Sequence, residues 1–112
     1  MNIVKINVAT LDDIRADLAA GRYEGQAVYS FPTLKLLRAT LTPTRIALLS
    51  ALAGQGTVTM RQAAQLAGRD YRSVHADITA LLGVGVLDRR SRGIVFPYDG
   101  FEIEPLAFSY GL

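Results

Sequence analysis

Residues 59–97 constrain the fold of this chain more tightly than any other stretch. They read TMRQAAQLAGRDYRSVHADITALLGVGVLDRRSRGIVFP. Thr59 followed by Gln62 is a capping-box pattern and predicts a helix from Met60. Met60, Ala63, Ala64 and Ala67 recur at helical spacing, and the alanines let a second helix come close. Gly68 suits a left-handed stop, and Asp70 caps a second helix. The apolar stripe of that helix is Val74, Ile78, Leu81 and Leu82, with Tyr71 near it and His75 on its flank. The opposite face carries Arg72, Ser73, Ala76 and Thr79. With Arg69 just ahead of the helix, these residues are free to reach a partner.

A hairpin follows. Val86 and Leu87 begin one strand and Ile94, Val95 and Phe96 form the other, with Asp88, Arg89, Arg90, Ser91, Arg92 and Gly93 between them. Gly93 is expected to supply a positive φ at the turn. Arginines crowded on a short loop repel one another, and nearby phosphates relieve that repulsion. Residues 59–93 hold six of the chain's twelve basic residues (Arg61, Arg69, Arg72, Arg89, Arg90 and Arg92) against three acids, although the whole chain is only +2. Helix, turn, helix and charged hairpin in this order predict a winged helix-turn-helix whose second helix lies in the major groove of DNA. Solvated arginines on an ordinary turn are the bland alternative.

The rest of the chain presents that segment. With 112 residues, half of them hydrophobic, the chain is long enough for one modest core and too apolar for disorder. No apolar run approaches the roughly 20 residues of a membrane span, and no secretion signal is visible. With no cysteine, disulfides and thiolate chemistry are excluded. A cytoplasmic location is expected.

Residues 2–9 alternate like a strand. Thr10 with Asp13 is another capping box, opening a helix with Leu11, Ile14 and Leu18 on one face and Gly21 at its end. A second strand is read over residues 26–31, with Pro32 in the first turn of a short helix. Thr42-Pro43 starts a helix with two apolar stripes: Ile46, Leu49 and Ala53 on one, Leu48 and Leu52 on the other. The second stripe and the incomplete two-stranded sheet both need cover. A homodimer supplies it and matches paired DNA half-sites, whereas cover from within the chain is the simpler alternative. After the Asp99-Gly100 turn, Phe101, Ile103, Leu106, Phe108, Tyr110 and Leu112 alternate as an apolar strand. That strand either docks on its own dimer or serves as a handle for another protein. The expected organisation is therefore α+β: an extension over residues 1–40, a winged helix-turn-helix over 41–98 and an apolar tail over 99–112.

The runs LTPTRIALLSAL, TMRQAAQLAGRDYRSVHADITALLGVGVLDRR and IVFPYD resemble the winged helix-turn-helix antitoxins of the TumE–TumA type. These are also described as MarR-like regulators. The resemblance covers about residues 31–104, and GRDYRSVHADITAL is its most specific part. It implies a prokaryotic DNA-binding protein that neutralises a toxin and represses its own operon. Arg69, Tyr71, Val74, His75, Asp77 and Leu81 match the pattern. Ala76 and Thr79 replace basic residues, which thins the charge of the groove-facing helix, and Ala63 and Ala67 replace leucines.

Catalysis is not expected. His75 and Asp77 are two apart on a helix and point to different faces, and a lone histidine builds no zinc site. The Gly83-Val84-Gly85 run lacks the lysine of a phosphate loop. Asp12, Asp13 and Asp17 sit where a helix dipole favours acids. Asp77 is expected to orient Arg72, Arg61 or another basic residue. No metal or cofactor is implied. The expected DNA contacts are Arg61, Arg69, Tyr71, Arg72, Ser73, His75, Ala76, Thr79, Arg89, Arg90 and Arg92. A protein-docking module that binds no DNA is the competing reading.

Overall fold

A computed structural model describes residues 1–104. The chain runs β1 (Ile3–Val8), α1 (Leu11–Ala19), β2 (Ala27–Phe31), α2 (Leu34–Thr40), α3 (Pro43–Leu52), α4 (Met60–Ala67), α5 (Tyr71–Gly83), β3 (Asp88–Arg90), β4 (Gly93–Val95) and β5 (Gly100–Ile103). It is an α+β fold in two compact units. One comprises Met1–Ala39 with the segment from Gly100 onward, and the other is Thr40–Asp99. Among the described residues no helix is long and apolar enough to cross a membrane.

The first unit is built on a three-stranded sheet in the order β2-β1-β5, with both pairings parallel. Strand alternation sorts its residues by face. Val4, Ile6 and Phe31 share one face and are each 1% exposed, so that face holds the core. Lys5, Asn7, Val28, Ser30 and Glu102 share the other, by register. The third strand corrects the expectation of docking on a second copy for residues 100–103. Gly100–Ile103 lies beside β1 of the same chain, so the sheet needs no second copy to reach three strands. The expected apolar residues beyond it, Leu106, Phe108, Tyr110 and Leu112, lie outside the described residues. Helix α1 begins as its capping box dictates: the Asp13 N–H donates to Thr10 Oγ1 and the Thr10 N–H donates to Asp13 Oδ2. Its apolar residues are not buried, however. Leu11 is 65% and Leu18 72% exposed. Pro32 falls in a bend ahead of α2, and Thr33 caps that helix instead, accepting from the Leu36 N–H.

The second unit packs α3, α4 and α5 with a two-stranded antiparallel hairpin. Thr42 caps α3 with Pro43 in the first turn, Thr59 and Gln62 form the capping box of α4, and Gly68 at φ 66° ends it in the left-handed conformation. Asp70 caps α5 through the Ser73 N–H. The second stripe of α3 is covered within the single chain, with Leu48 and Leu52 at most 1% exposed, while in the first Leu49 is buried and Ile46 and Ala53 are half-buried. The second stripe therefore gives no ground for a dimer. Ala63 of α4 and Val74, Ile78 and Leu81 of α5 are fully buried beside them.

The hairpin is tighter than its sequence suggests. Arg89 and Arg90 belong to β3, and Arg90 pairs with Gly93, leaving Ser91 and Arg92 as a two-residue turn. Val86 and Leu87 precede the strand as buried residues. Gly93 is required for a reason other than turn geometry. A Cβ there would collide with the carbonyl of Val58, whose N–H and C=O both hydrogen-bond to Ile94.

Candidate functional site

The unit Thr40–Asp99 carries seven arginines against four aspartates, so the chain's positive charge resides there. The outward face of α5 presents Arg72, Ala76 and Thr79, all exposed and spaced by four and then three residues. Ser73 lies half-buried at the edge of that face. Its N–H is committed to the Asp70 carboxylate at 2.9 Å, which holds that carboxyl below its ordinary pKa. The Thr79 hydroxyl donates back to the carbonyl of His75 at 2.8 Å, so toward a ligand it can only accept. Tyr71 is half-exposed rather than aligned with the buried stripe. Its ring lies 5.8 Å from that of His75, which is also exposed.

Arg69 departs from its expected role. Its guanidinium lies 2.8 Å from Asp77 Oδ2, while Arg45 donates from Nε to Asp77 Oδ1 at 3.0 Å. Asp77 is buried, at 8% exposure, so its charge requires compensation. The Arg69 contact lacks aligned hydrogen-bond geometry, which makes it an ion pair held by charge rather than by a directed bond. Arg45 also donates to the Thr40 carbonyl at 3.2 Å. Asp77 thus ties α5 to α3 and to the turn before α5, and its partners are Arg45 and Arg69 instead of Arg72 or Arg61. Nothing in the sequence marks Arg45, which stands 32 residues from Asp77.

Arg61 is exposed on α4. With Gln65, Gly68, Arg69 and Tyr71 it borders a shallow hollow of about 480 Å³. Gln65 was not among the sequence candidates, although its spacing of four from Arg61 places both on one side of α4. On the hairpin, Arg89, Arg90 and Arg92 are all exposed. Arg90 lies 3.6 Å from Asp88, so part of its charge is already balanced. Among the described residues Arg61, Arg72, Arg89 and Arg92 form no ion pair. Each presents an exposed guanidinium, a group able to bind carboxylate or phosphate oxygens in a bidentate manner. Among the described residues no group of three or more histidines or carboxylates is gathered that could hold a metal ion.

No curated protein and no solved structure matches the chain. The HVO_A0114 family model matches residues 40–103, more than half of the chain and all of the Thr40–Asp99 unit together with β5. The chain belongs to the HVO_A0114 family.

Proposed function

We propose that the protein is a sequence-specific DNA-binding transcriptional regulator and that its Thr40–Asp99 unit is a winged helix-turn-helix. In this reading α4 and α5 are the helix-turn-helix and the β3–β4 hairpin is the wing. The observation that carries it is the set of unpaired, exposed arginines on α4, the outer face of α5 and the hairpin, within one compact unit. Arg72 with the edge residue Ser73 faces bases, while Ala76 and Thr79 allow close approach to the groove floor. The hollow bordered by Arg61 and Tyr71 seats a backbone phosphate, and Arg89 and Arg92 hold the duplex at the wing. Arg69 contributes by positioning α5 through Asp77. The protein acts by occupying its operator rather than by catalysis, and its place of action is the cytoplasm.

The antitoxin reading, with repression of a shared toxin–antitoxin operon, rests on the sequence resemblance. A homodimer rests on operator symmetry alone, which sets two recognition helices roughly 34 Å apart. The test is a gel-shift titration on the protein's own promoter and on a random duplex at graded salt. Arg72→Ala should lose preference for the promoter. Arg89→Ala and Arg92→Ala should each weaken binding to both duplexes and flatten the dependence on salt by about one phosphate contact. Arg90→Ala should do so less, because Asp88 already shares its charge. If no duplex shifts even at low salt, the reading is wrong and protein docking takes its place. Coexpression with the neighbouring open reading frame tests toxin neutralisation.

A further inference from the structure

The polar face of the sheet carries a cavity that the DNA reading does not use. Helix α1 buries none of its residues, and beside it lies a pocket of about 700 Å³, a size typical of small-molecule sites. Asn7, Val28 and Ser30 of the sheet line it, together with Ile14 and Leu18 of α1. The loop from Gly21 to Gln26 contributes the remaining lining beyond Asp17.

That loop is held in place by its surroundings. Tyr23 adopts φ 61°, a left-handed conformation that a tyrosine keeps only where neighbours over-determine it. Its hydroxyl donates to the Glu104 carboxylate at 3.3 Å, and the Lys5 ammonium lies 5.7 Å from its ring centroid. Lys5 is itself paired with Glu104 at 3.3 Å. The Tyr23 carbonyl accepts from the Gln26 N–H at 2.8 Å. The cavity is therefore a pre-formed feature of the unit.

Among the side-chain groups of its lining, the Asn7 amide NH2 and the Arg22 guanidinium can donate, and acceptor groups outnumber them. Ser30 Oγ donates to Asn7 Oδ1 at 2.6 Å and is left with lone pairs. The Gln26 amide nitrogen donates to the carbonyls of Ile3 and Ala27, leaving its side-chain oxygen to accept. Asp17 and Glu24 add carboxylates, and Arg22, the cation of the lining, is engaged with Asp17 at 3.5 Å. Against these acceptors stand the apolar side chains of Ile14, Leu18 and Val28, with Leu18 72% and Val28 37% exposed. An ammonium group has three donors and no acceptor, which is the complement of such a wall. We propose that this pocket binds a small aliphatic amine, its hydrocarbon body against Leu18, Ile14 and Val28 and its ammonium toward Glu24, Asp17 and Ser30.

The test uses the full chain and three probes with one carbon skeleton and different head groups: isopentylamine, isopentanol and isovalerate. Backbone amide shifts are followed by NMR. Isopentylamine should move the amides of Asn7, Gly25 and Val28 along a saturable curve, isopentanol should do so more weakly, and isovalerate should leave them in place. Combining Asp17→Asn with Glu24→Gln should weaken the amine about tenfold, the scale of a charge-assisted hydrogen bond. Glu24→Gln alone, at an exposed position, gives the same direction without risk to the fold. Arg22→Gln should tighten binding by removing the competing cation. The proposal is overturned if isovalerate binds as well as the amine, if the amine curve is unchanged in Glu24→Gln, or if no probe moves these amides.

Discussion

Helices α1 and α5 begin alike and end up in opposite environments. Each starts with an extended cap residue and a short carboxylate hydrogen bond: Thr10 N–H to Asp13 in one, Ser73 N–H to Asp70 in the other. Each carries leucine and isoleucine at helical spacing. Yet α5 buries Val74, Asp77, Ile78 and Leu81, while α1 buries nothing. Caps decide where a helix starts, through contacts three residues long. They say nothing about what covers it. An amphipathic stripe is a statement about possible partners, and in α1 the partner is a half-open pocket instead of a core.

The largest expected effect breaks this comparison directly. Leu81→Ala should lower stability by about 3 kcal/mol, since Leu81 is fully buried and the surroundings of a deleted core side chain relax only in part. Leu18→Ala should change it by less than about 0.5 kcal/mol. Denaturant unfolding followed by circular dichroism measures both. Comparable losses at the two positions would show that α1 is covered in solution.

A second, smaller effect concerns the buried charge that only α5 carries. Asp77→Ala should cost about 2 kcal/mol by leaving Arg45 and Arg69 without their counter-charge. The value lies below that of a fully buried pair because those side chains remain 23% and 27% exposed. Asp77→Asn should cost less, because an amide oxygen still accepts from Arg45 Nε. A loss for Asp77→Ala no larger than for an exposed acid such as Asp12 would refute this role.

How much of this was readable beforehand follows from the range of the interactions. The caps at Thr10, Thr42, Thr59 and Asp70 and the stop at Gly68 are local, so the ends of four helices stood in the sequence. The exposed face of α5 was legible for the same reason, since helical spacing alone defines it. Asp77's partners were not, because Arg45 approaches from another helix. Nor was the reason for Gly93, which is a backbone carbonyl from a distant segment. The pairing of β5 with β1 joins residues at opposite ends of the sequence, and short alternating runs carry no record of their partner. The tyrosine at a left-handed φ in the loop after α1 has no sequence signature either.

The smallest effect sharpens what the two helices share. Donation from the Thr10 and Ser73 backbone N–H groups holds the carboxyls of Asp13 and Asp70 below their ordinary pKa. A depressed pKa in the folded state means that each carboxylate stabilises its helix above the unfolded pKa, and that this contribution is lost as pH falls through the folded value. Both helix starts should therefore loosen together below about pH 4. Asp70→Asn, which keeps a capping oxygen, should abolish the acid dependence at α5 alone. Amide exchange at Thr10 and Ser73 reads the two ends separately, and an unchanged acid response in Asp70→Asn would contradict the assignment.

The placement of β5 has a consequence for how the protein is born. Ile3 lies opposite Gly100 in the sheet, so the central strand waits on one flank until nearly all of the described chain has left the ribosome. The arginine-rich unit between them is contiguous in sequence and can assemble during that wait, as nascent domains commonly do. A nascent chain from which Gly100 has yet to emerge would then carry a folded arginine-rich unit and a sheet still missing its last strand.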